Sequence, residues 1–154
     1  MKLIAHRGNI NGINEDKENL PEYILEAINL KYDCEIDIRL IDNVLYLGHD
    51  TPNYQIDINF LLNNSIKLWI HCKNYEAFGY LIQYKELNIF WHESDSYTLT
   101  SKGYIWCYPD QIPPNKTISI ILMPEINNFN SIKHNMDCYG ICSDYVKTIE
   151  NTIY

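Results

Sequence analysis

The chain has 154 residues and a mass of 18.2 kDa, which predicts a single domain over 1–154 by the usual size of domains. Its 46% hydrophobic content and 13 tyrosines indicate a globular protein, since a charged share of 21% is too low for a disordered one. The formal net charge of −8 and the absence of a block rich in Lys and Arg argue against nucleic-acid binding, because such binding depends on neutralising phosphates.

The amino-terminal part of the sequence predicts a strand followed by a helix. Residues 2–6 are a short apolar run that ends in polar residues and Gly8, which is typical of a buried strand that leads into a loop. Apolar residues at helical spacing then predict a helix over 18–32. Asn19 is its expected N-cap, and Pro21 falls in the first turn, where the missing N–H costs little.

The next strand is predicted over 34–40, where acidic and apolar residues alternate. Because side chains in a strand point to opposite faces in turn, Glu35 and Asp37 share one face while Ile36 and Ile38 share the other. Two neighbouring carboxylates repel each other unless a cation lies between them. The pair therefore indicates a metal site, and the alternative is an edge strand with solvated acids.

The remaining segments repeat the pattern of strand and connection. Further strands are predicted over 44–47, 66–72, 88–92, 103–108, 117–123 and 139–142. Further helices are predicted over 58–62, 75–87, 129–135 and 145–153. About eight strands in this order favour an α/β fold with a parallel sheet closed into a (βα)8 TIM-type barrel.

The chain is short for such a barrel, which usually needs at least about 200 residues. We therefore expect a compact barrel in which several helices are shortened or missing. Such a barrel leaves part of its outer wall uncovered, and a homo-oligomer that covers this wall is a secondary expectation.

The sequence also bears on the compartment. No apolar run approaches the roughly 20 residues of a membrane span, and no signal-peptide cleavage site follows the amino-terminal strand. The five cysteines, an odd number, are scattered through predicted strands. We expect buried, reduced thiols in a cytoplasmic protein. A metal site at Cys138 and Cys142 is the weaker alternative.

Polar residues with catalytic potential follow three of the predicted strands. His6 and Arg7 end the first strand, and His49 follows the strand over 44–47. Since active sites of barrels collect at the carboxyl ends of the strands, these residues should meet Glu35 and Asp37. Two histidines provide an acid and a base, while Arg7 and a metal ion neutralise phosphoryl oxygens. This combination predicts cleavage of a phosphodiester.

The order and spacing of several segments resemble the glycerophosphodiester phosphodiesterase family, within the phospholipase C-like phosphodiesterases. The four segments that carry the resemblance are His6-Arg7-Gly8, Glu18-Asn19, Glu35-Ile36-Asp37-Ile38 and Gly48-His49-Asp50. Two weaker matches are Trp69-Ile70-His71-Cys72-Lys73 and Gly140-Ile141-Cys142-Ser143-Asp144-Tyr145.

The resemblance implies a role for each matching residue. His6 and His49 would be the general acid and base, and Arg7 and Lys73 would bind the phosphate. Glu35 and Asp37 would be ligands of a divalent metal ion, Mg²⁺ or Ca²⁺. The implied activity is that of a phosphoric diester hydrolase, which acts on a glycerophosphodiester or a related (lyso)phospholipid as its small substrate.

One position departs from the family pattern, because the third metal ligand should be an acid where this chain has His71. An imidazole binds Mn²⁺ or Zn²⁺ better than Mg²⁺, so His71 could be the third ligand with a changed metal preference. Two alternatives remain: Glu93 is the third ligand, or the site has no third ligand. The last case favours a catalytically inactive relative that binds a phosphorylated ligand or a protein.

Overall fold

The computed structural model describes residues 1–129, 132 and 137–153, which form a mixed sheet of ten strands with four short α-helices. The strands are β1 (Lys2–His6), β2 (Asp33–Ile41), β3 (Val44–Leu47), β4 (Tyr54–Ile56), β5 (Leu68–Cys72), β6 (Ile89–Phe90), β7 (Tyr97–Leu99), β8 (Ile105–Cys107), β9 (Ser119–Leu122) and β10 (Gly140–Ser143). The helices are α1 (Pro21–Asn29), α2 (Ile58–Asn63), α3 (Tyr75–Leu81) and α4 (Val146–Ile153). The helix predicted over 129–135 lies mostly outside the described residues.

Seven strands run parallel and form the body of the sheet, in the order β6-β5-β2-β1-β10-β9-β8. Three antiparallel pairings extend it, because β3 pairs with the far end of β2, β4 pairs with β3, and β7 pairs with β8. The sheet curves into a half-barrel. The parallel strands all direct their carboxyl ends to the same edge, where the predicted site residues lie.

The predicted (βα)8 TIM-type barrel is therefore wrong. Helices do not alternate with the strands along the described chain, since none lies between β2 and β4 or between β6 and β9 apart from a 3₁₀ turn at Lys116–Ile118. No hydrogen-bonded ladder joins β6 to β8, so the described strands do not close into a ring.

The physical reason for part of this error is the turn at Asp42 and Asn43. Both residues have positive φ, at 49° and 62°, as in the two-residue turns that connect hairpin strands. A connection of two residues can join only antiparallel strands, whereas a parallel crossover needs a dozen or more. The segment over 44–47 is thus the return strand of a hairpin and not the third strand of a barrel.

The two faces of the sheet carry different cores. On the outer face, Ile36 and Ile38 pack with aliphatic residues of the helices, among them Ile24 and Leu61. The inner face is filled by one inward side chain from each of six parallel strands. These are Ile4, Trp69, Phe90, Trp106, Ile120 and Cys142. Stacked aromatic rings of Phe90 and Trp106, with centroids 4.7 Å apart, bridge the gap between β6 and β8.

The free edge of β6 is covered by a loop. The Ser101 backbone N–H donates to the carbonyl of Ile89, and the Ile89 N–H donates to the Ser101 hydroxyl. These two hydrogen bonds take the place of a second neighbouring strand, since β6 pairs only with β5 among the described strands.

Two predictions about the compartment can be compared with this fold. None of the described helices is long and apolar enough to cross a membrane. All five cysteines are buried, and none takes part in a disulfide. Among the described residues, the group suited to hold a metal ion includes neither Cys138 nor Cys142, so the alternative metal site at these cysteines has no support.

Candidate active site and metal centre

The position of the site follows from the period-two geometry of the strands. His6, His71 and His92 each lie two residues beyond an inward-facing residue of the inner core, and therefore face the same way one layer further along. These residues and the acids of β2 line a cavity of about 220 Å³ at the carboxyl ends of the strands. The inner core forms the floor below it.

All seven site residues predicted from the sequence line this one cavity, and so does Glu93, the alternative ligand. The seven are His6, Arg7, Glu35, Asp37, His49, His71 and Lys73. Other lining residues, which the sequence did not single out, include His92, Tyr108 and Met123. Residues separated by up to 117 positions in sequence, from His6 to Met123, thus meet because neighbouring parallel strands end together.

The carboxylates of Glu35 and Asp37 form a buried cluster with the imidazole of His71. Strand pairing places Glu35 beside His6 of β1 and Asp37 beside His71 of β5. His71 Nδ1 lies 3.1 Å from Asp37 Oδ1 and 3.8 Å from Glu35 Oε1. One possible ligand atom from each of the three residues lies within 4.8 Å of the others.

Burial and mutual contacts separate the pKa values of these three groups. Burial, together with the negative charge of Asp37, raises the pKa of Glu35 to about 7. Burial alone would also raise the pKa of Asp37, but the contacts with His71 and Arg7 hold it below its usual value. Burial lowers the pKa of His71 to about 4 despite its contact with Asp37, so its imidazole is neutral at physiological pH.

The geometry of this cluster fits a divalent metal ion. Asp37 Oδ1 is buried and accepts no hydrogen bond from the described residues, which is costly for a carboxylate unless a cation satisfies it. Ligands about 2.1 Å from an octahedral ion lie about 3 Å apart when they are adjacent. The 3.1 Å and 3.8 Å separations at His71 Nδ1 are close to this value.

The second oxygen of Asp37 is held by Asn19. The Asn19 side-chain amide donates to Asp37 Oδ2 at 3.0 Å, and its carbonyl oxygen accepts from the Asp37 backbone N–H at 2.8 Å. Asn19 has a φ of 61° and is buried. The prediction that Asn19 caps α1 is wrong, since the N-cap is Leu20; the amide is used to orient a candidate metal ligand instead. Pro21 does lie in the first turn, as predicted, although the helix begins at Pro21 and not at residue 18.

His6 is oriented by an acid from the last strand of the sheet. Its Nδ1 lies 2.9 Å from Asp144 Oδ1, and its Nε2 lies 3.9 Å from Glu35 Oε2. Burial alone would lower the pKa of His6, but the hydrogen bond with Asp144 and the charge of Glu35 raise it above its usual value. Because Asp144 is ionised, with its pKa lowered by His6 against the effect of burial, Nδ1 carries the proton and donates to it.

Asp144 is itself fixed by two further hydrogen bonds. Asn9 donates its side-chain amide to Asp144 Oδ1 at 2.8 Å, and the Asp144 backbone N–H donates to Glu125 Oε1 at 2.9 Å. Asp144 lies in a segment that resembles the family, but the resemblance implied no role for it. Only the pairing of β1 with β10 brings it next to His6.

His49 reaches the cavity from the hairpin strand β3 through a tight turn. Gly48 has a φ of 141°, and a Cβ atom there would collide with the carbonyl oxygen of Thr51, so glycine is required. The carbonyl of His49 accepts from Arg39 Nη2 at 2.5 Å. His49 Nδ1 lies 2.7 Å from Asp50 Oδ1, which leaves Nε2 available on a more exposed ring than that of His6.

Arg7 and Lys73 supply the positive charge. Arg7 Nε lies 3.2 Å from Asp37 Oδ2, and its Nη1 donates to Glu18 Oε2 at 2.9 Å. Its φ of 53° is unfavourable for a residue with a side chain, and such backbone strain is concentrated at functional sites. Lys73 Nζ lies further off, 3.9 Å from Asp37 Oδ1.

A stack of parallel rings holds His71 in place. Its ring centroid lies 5.0 Å from that of Phe90 and 4.6 Å from that of His92, with interplanar angles of 6° and 1°. Phe90 and His92 are two residues apart and so share a face. His71 thus has little freedom to rotate away from the carboxylates.

The chain matches no protein-family profile, and neither the curated proteins nor the solved structures give a significant match. The function must therefore be inferred from the site itself.

Proposed function

We propose that this protein is a metal-dependent phosphodiesterase that hydrolyses a glycerophosphodiester or a related lysophospholipid. The observation that carries the proposal is the convergence in one cavity of the groups that this reaction requires. A possible metal-binding cluster, two histidines and two cations line the same space. The resemblance of the His6-Arg7-Gly8 and Glu35-Ile36-Asp37-Ile38 segments to the glycerophosphodiester phosphodiesterases supports the same reaction.

The two histidines would divide the proton transfers between them. One removes the proton from the attacking water, or from a hydroxyl of the substrate, and the other protonates the leaving alkoxide. Asp144 holds His6 in the tautomer that presents Nε2 to the cavity, and Asp50 does the same for His49. Attack by water gives a phosphomonoester, whereas attack by a substrate hydroxyl gives a cyclic phosphate first.

The remaining groups would bind the phosphate and stabilise its charge. Glu35, Asp37 and His71 would hold a divalent ion, which would supply Lewis acidity for the phosphate group. Arg7 can bind phosphate oxygens through its guanidinium, and Lys73 contributes a point charge. Since the chain has a net charge of −8, this local positive charge is needed to attract an anionic substrate.

A second candidate function is a catalytically inactive protein that binds a phosphorylated ligand. The observation that favours it is the number of cationic contacts already made by Asp37, with Arg7 at 3.2 Å and Lys73 at 3.9 Å. These contacts offset its charge without a metal ion. Under this alternative a phosphate compound would bind equally well with chelator present.

The five free thiols fit a reducing compartment, and we include a cytoplasmic location and a small phosphodiester substrate in the proposal.

The test is phosphorus NMR of the purified protein with a panel of glycerophosphodiesters and lysophospholipids. Each reaction is run with Mg²⁺, Ca²⁺, Mn²⁺ or Zn²⁺ and with chelator. We expect a phosphomonoester or cyclic phosphate that forms only with metal, and His6→Ala should slow its formation by about 10²–10⁴-fold. Wild-type rates in His6→Ala would reject the mechanism, and no product with any metal would favour the binding protein.

A matched pair of lysine variants separates substrate binding from general loss of charge. Lys73→Met should raise KM, because Lys73 lines the cavity. Lys85→Met removes the same charge from an exposed position outside the cavity and should leave KM unchanged.

A further inference from the structure

We propose that the cluster of Glu35, Asp37 and His71 selects a first-row transition ion, Mn²⁺ or Zn²⁺, over Mg²⁺ and Ca²⁺. This inference rests on the metal site of the proposed function and names the class of ion that the site takes. It concerns binding as well as turnover, so it can be tested apart from catalysis.

The ligand atoms of the cluster favour a transition ion. The cluster offers two carboxylates and one imidazole nitrogen. Ca²⁺ prefers six to eight oxygen ligands, and Mg²⁺ also prefers oxygen. Transition ions bind imidazole well, and catalytic Zn²⁺ sites commonly have three protein ligands and one open position. Glu93 lines the cavity but is exposed and is not part of the cluster, so it does not supply a third carboxylate.

The positive charge around the carboxylates also favours a transition ion. Arg7 contacts both acids, through its Nε at 3.2 Å from Asp37 Oδ2 and through its backbone N–H to Glu35 Oε2. Lys73 Nζ lies 3.9 Å from the other oxygen of Asp37. Hard ions are held mainly by electrostatic attraction to oxygen, which these cations weaken. An ion that also bonds to nitrogen depends less on net charge.

His71 is positioned as a ligand of the cluster. Its ring is clamped by the stack with Phe90 and His92, which directs Nδ1 toward both carboxylates. Asp37 Oδ1, although 3.1 Å from this nitrogen, still accepts no hydrogen bond from any residue that the structure describes. His71 Nδ1 and Asp37 Oδ1 thus face a common space without forming a hydrogen bond with each other, as two ligands of one ion do.

The experiment compares the four ions by calorimetric titration of the wild-type protein, and examines bound Mn²⁺ by pulsed electron paramagnetic resonance. We expect Mn²⁺ and Zn²⁺ to bind about tenfold or more tightly than Mg²⁺ and Ca²⁺. The Mn²⁺ spectrum should show hyperfine coupling to a histidine nitrogen, which ¹⁵N-histidine labelling identifies. Equal binding of Mg²⁺ and Mn²⁺, or no nitrogen coupling in the wild-type protein, would overturn the proposal.

Two variants assign the ligand. His71→Glu should abolish the nitrogen coupling and strengthen Mg²⁺ or Ca²⁺ binding by about tenfold, since it supplies the missing carboxylate. Glu93→Gln is the matched control and should change neither result. Circular dichroism establishes that both variants are folded, and the wild-type spectrum tests the proposal even if His71→Glu does not fold.

The outcomes distinguish this inference from the proposed function. Nitrogen-coupled Mn²⁺ binding without turnover of any phosphodiester would reject the enzyme and retain the ion selectivity. Turnover that Mg²⁺ supports as well as Mn²⁺, without nitrogen coupling, would retain the enzyme and reject the selectivity.

Discussion

Replacing Glu35 by Gln should stabilise the metal-free protein above neutral pH. Glu35 is almost fully buried, and its pKa is raised from 4.5 to about 7 by burial and by the charge of Asp37. A carboxyl group whose pKa is higher in the folded state favours folding at low pH, and this contribution is lost as the pH rises through 7. A neutral amide avoids this loss.

The expected size follows from the shift in pKa. A rise from 4.5 to about 7 corresponds to about 3 kcal/mol in the free energy of unfolding, of which less than about 1 kcal/mol is already lost at pH 5. The advantage of Glu35→Gln should therefore be about 2 kcal/mol larger at pH 8 than at pH 5. The lowered pKa of His71 has the opposite effect, because it makes the free energy of unfolding rise with pH. This effect is present in both proteins and largely cancels in their difference.

The assay is urea denaturation of both proteins at pH 5 and pH 8, with chelator and with Mn²⁺. Glu26→Gln, on the exposed side of α1, controls for the removal of a carboxylate elsewhere. Mn²⁺ should reverse the order of stability at pH 8, because only the wild-type protein keeps all three ligands.

A Glu35→Gln variant that is no more stable than the wild type at pH 8 with chelator would refute this reasoning. An advantage of the same size at both pH values would refute it as well, since it would reflect packing and not charge.

The other predictions also concern the surroundings of the cluster. Metal affinity should fall about tenfold from pH 8 to pH 6, because a proton then competes for Glu35 with its pKa near 7; a calorimetric titration at each pH measures this, and equal affinities would contradict it. Asp144→Asn should lower kcat by at least about tenfold and lower the pKa of His6 in NMR titrations, whereas Asp16→Asn should do neither. Asn19→Ala should weaken metal binding by about 10–100-fold, and unchanged affinity would show that Asn19 does not orient Asp37.

The sequence was sufficient to predict most strands and seven of the residues that line the cavity, because both depend on local patterns. Alternation over 34–40 correctly placed Glu35 and Asp37 on one face of the strand and Ile36 and Ile38 on the other, and the structure shows these to be the inner and the outer face of the sheet. The parallel strands that carry these residues end at one edge whether or not the sheet closes. The predicted grouping of the site therefore did not depend on the barrel being complete.

The parts that were not predicted depend on contacts between distant residues. Asp144 lies 138 positions from His6, and its role depends on the pairing of β10 with β1. The strand β7 was also missed, because Tyr97–Leu99 is short and partly exposed. The direction of β3 could have been predicted, since the two-residue turn at Asp42 and Asn43 permits only a hairpin.

The loop that covers β6 has a consequence for association between molecules. An uncovered edge strand offers its backbone N–H and C=O groups to the strands of another chain, which leads to aggregation. Ser101 occupies both bonding groups of Ile89 on this edge, in the way that a neighbouring strand would. Although the sheet is not closed into a ring, the edge at β6 is therefore protected from pairing with a strand of another copy, and no additional strand is needed for this.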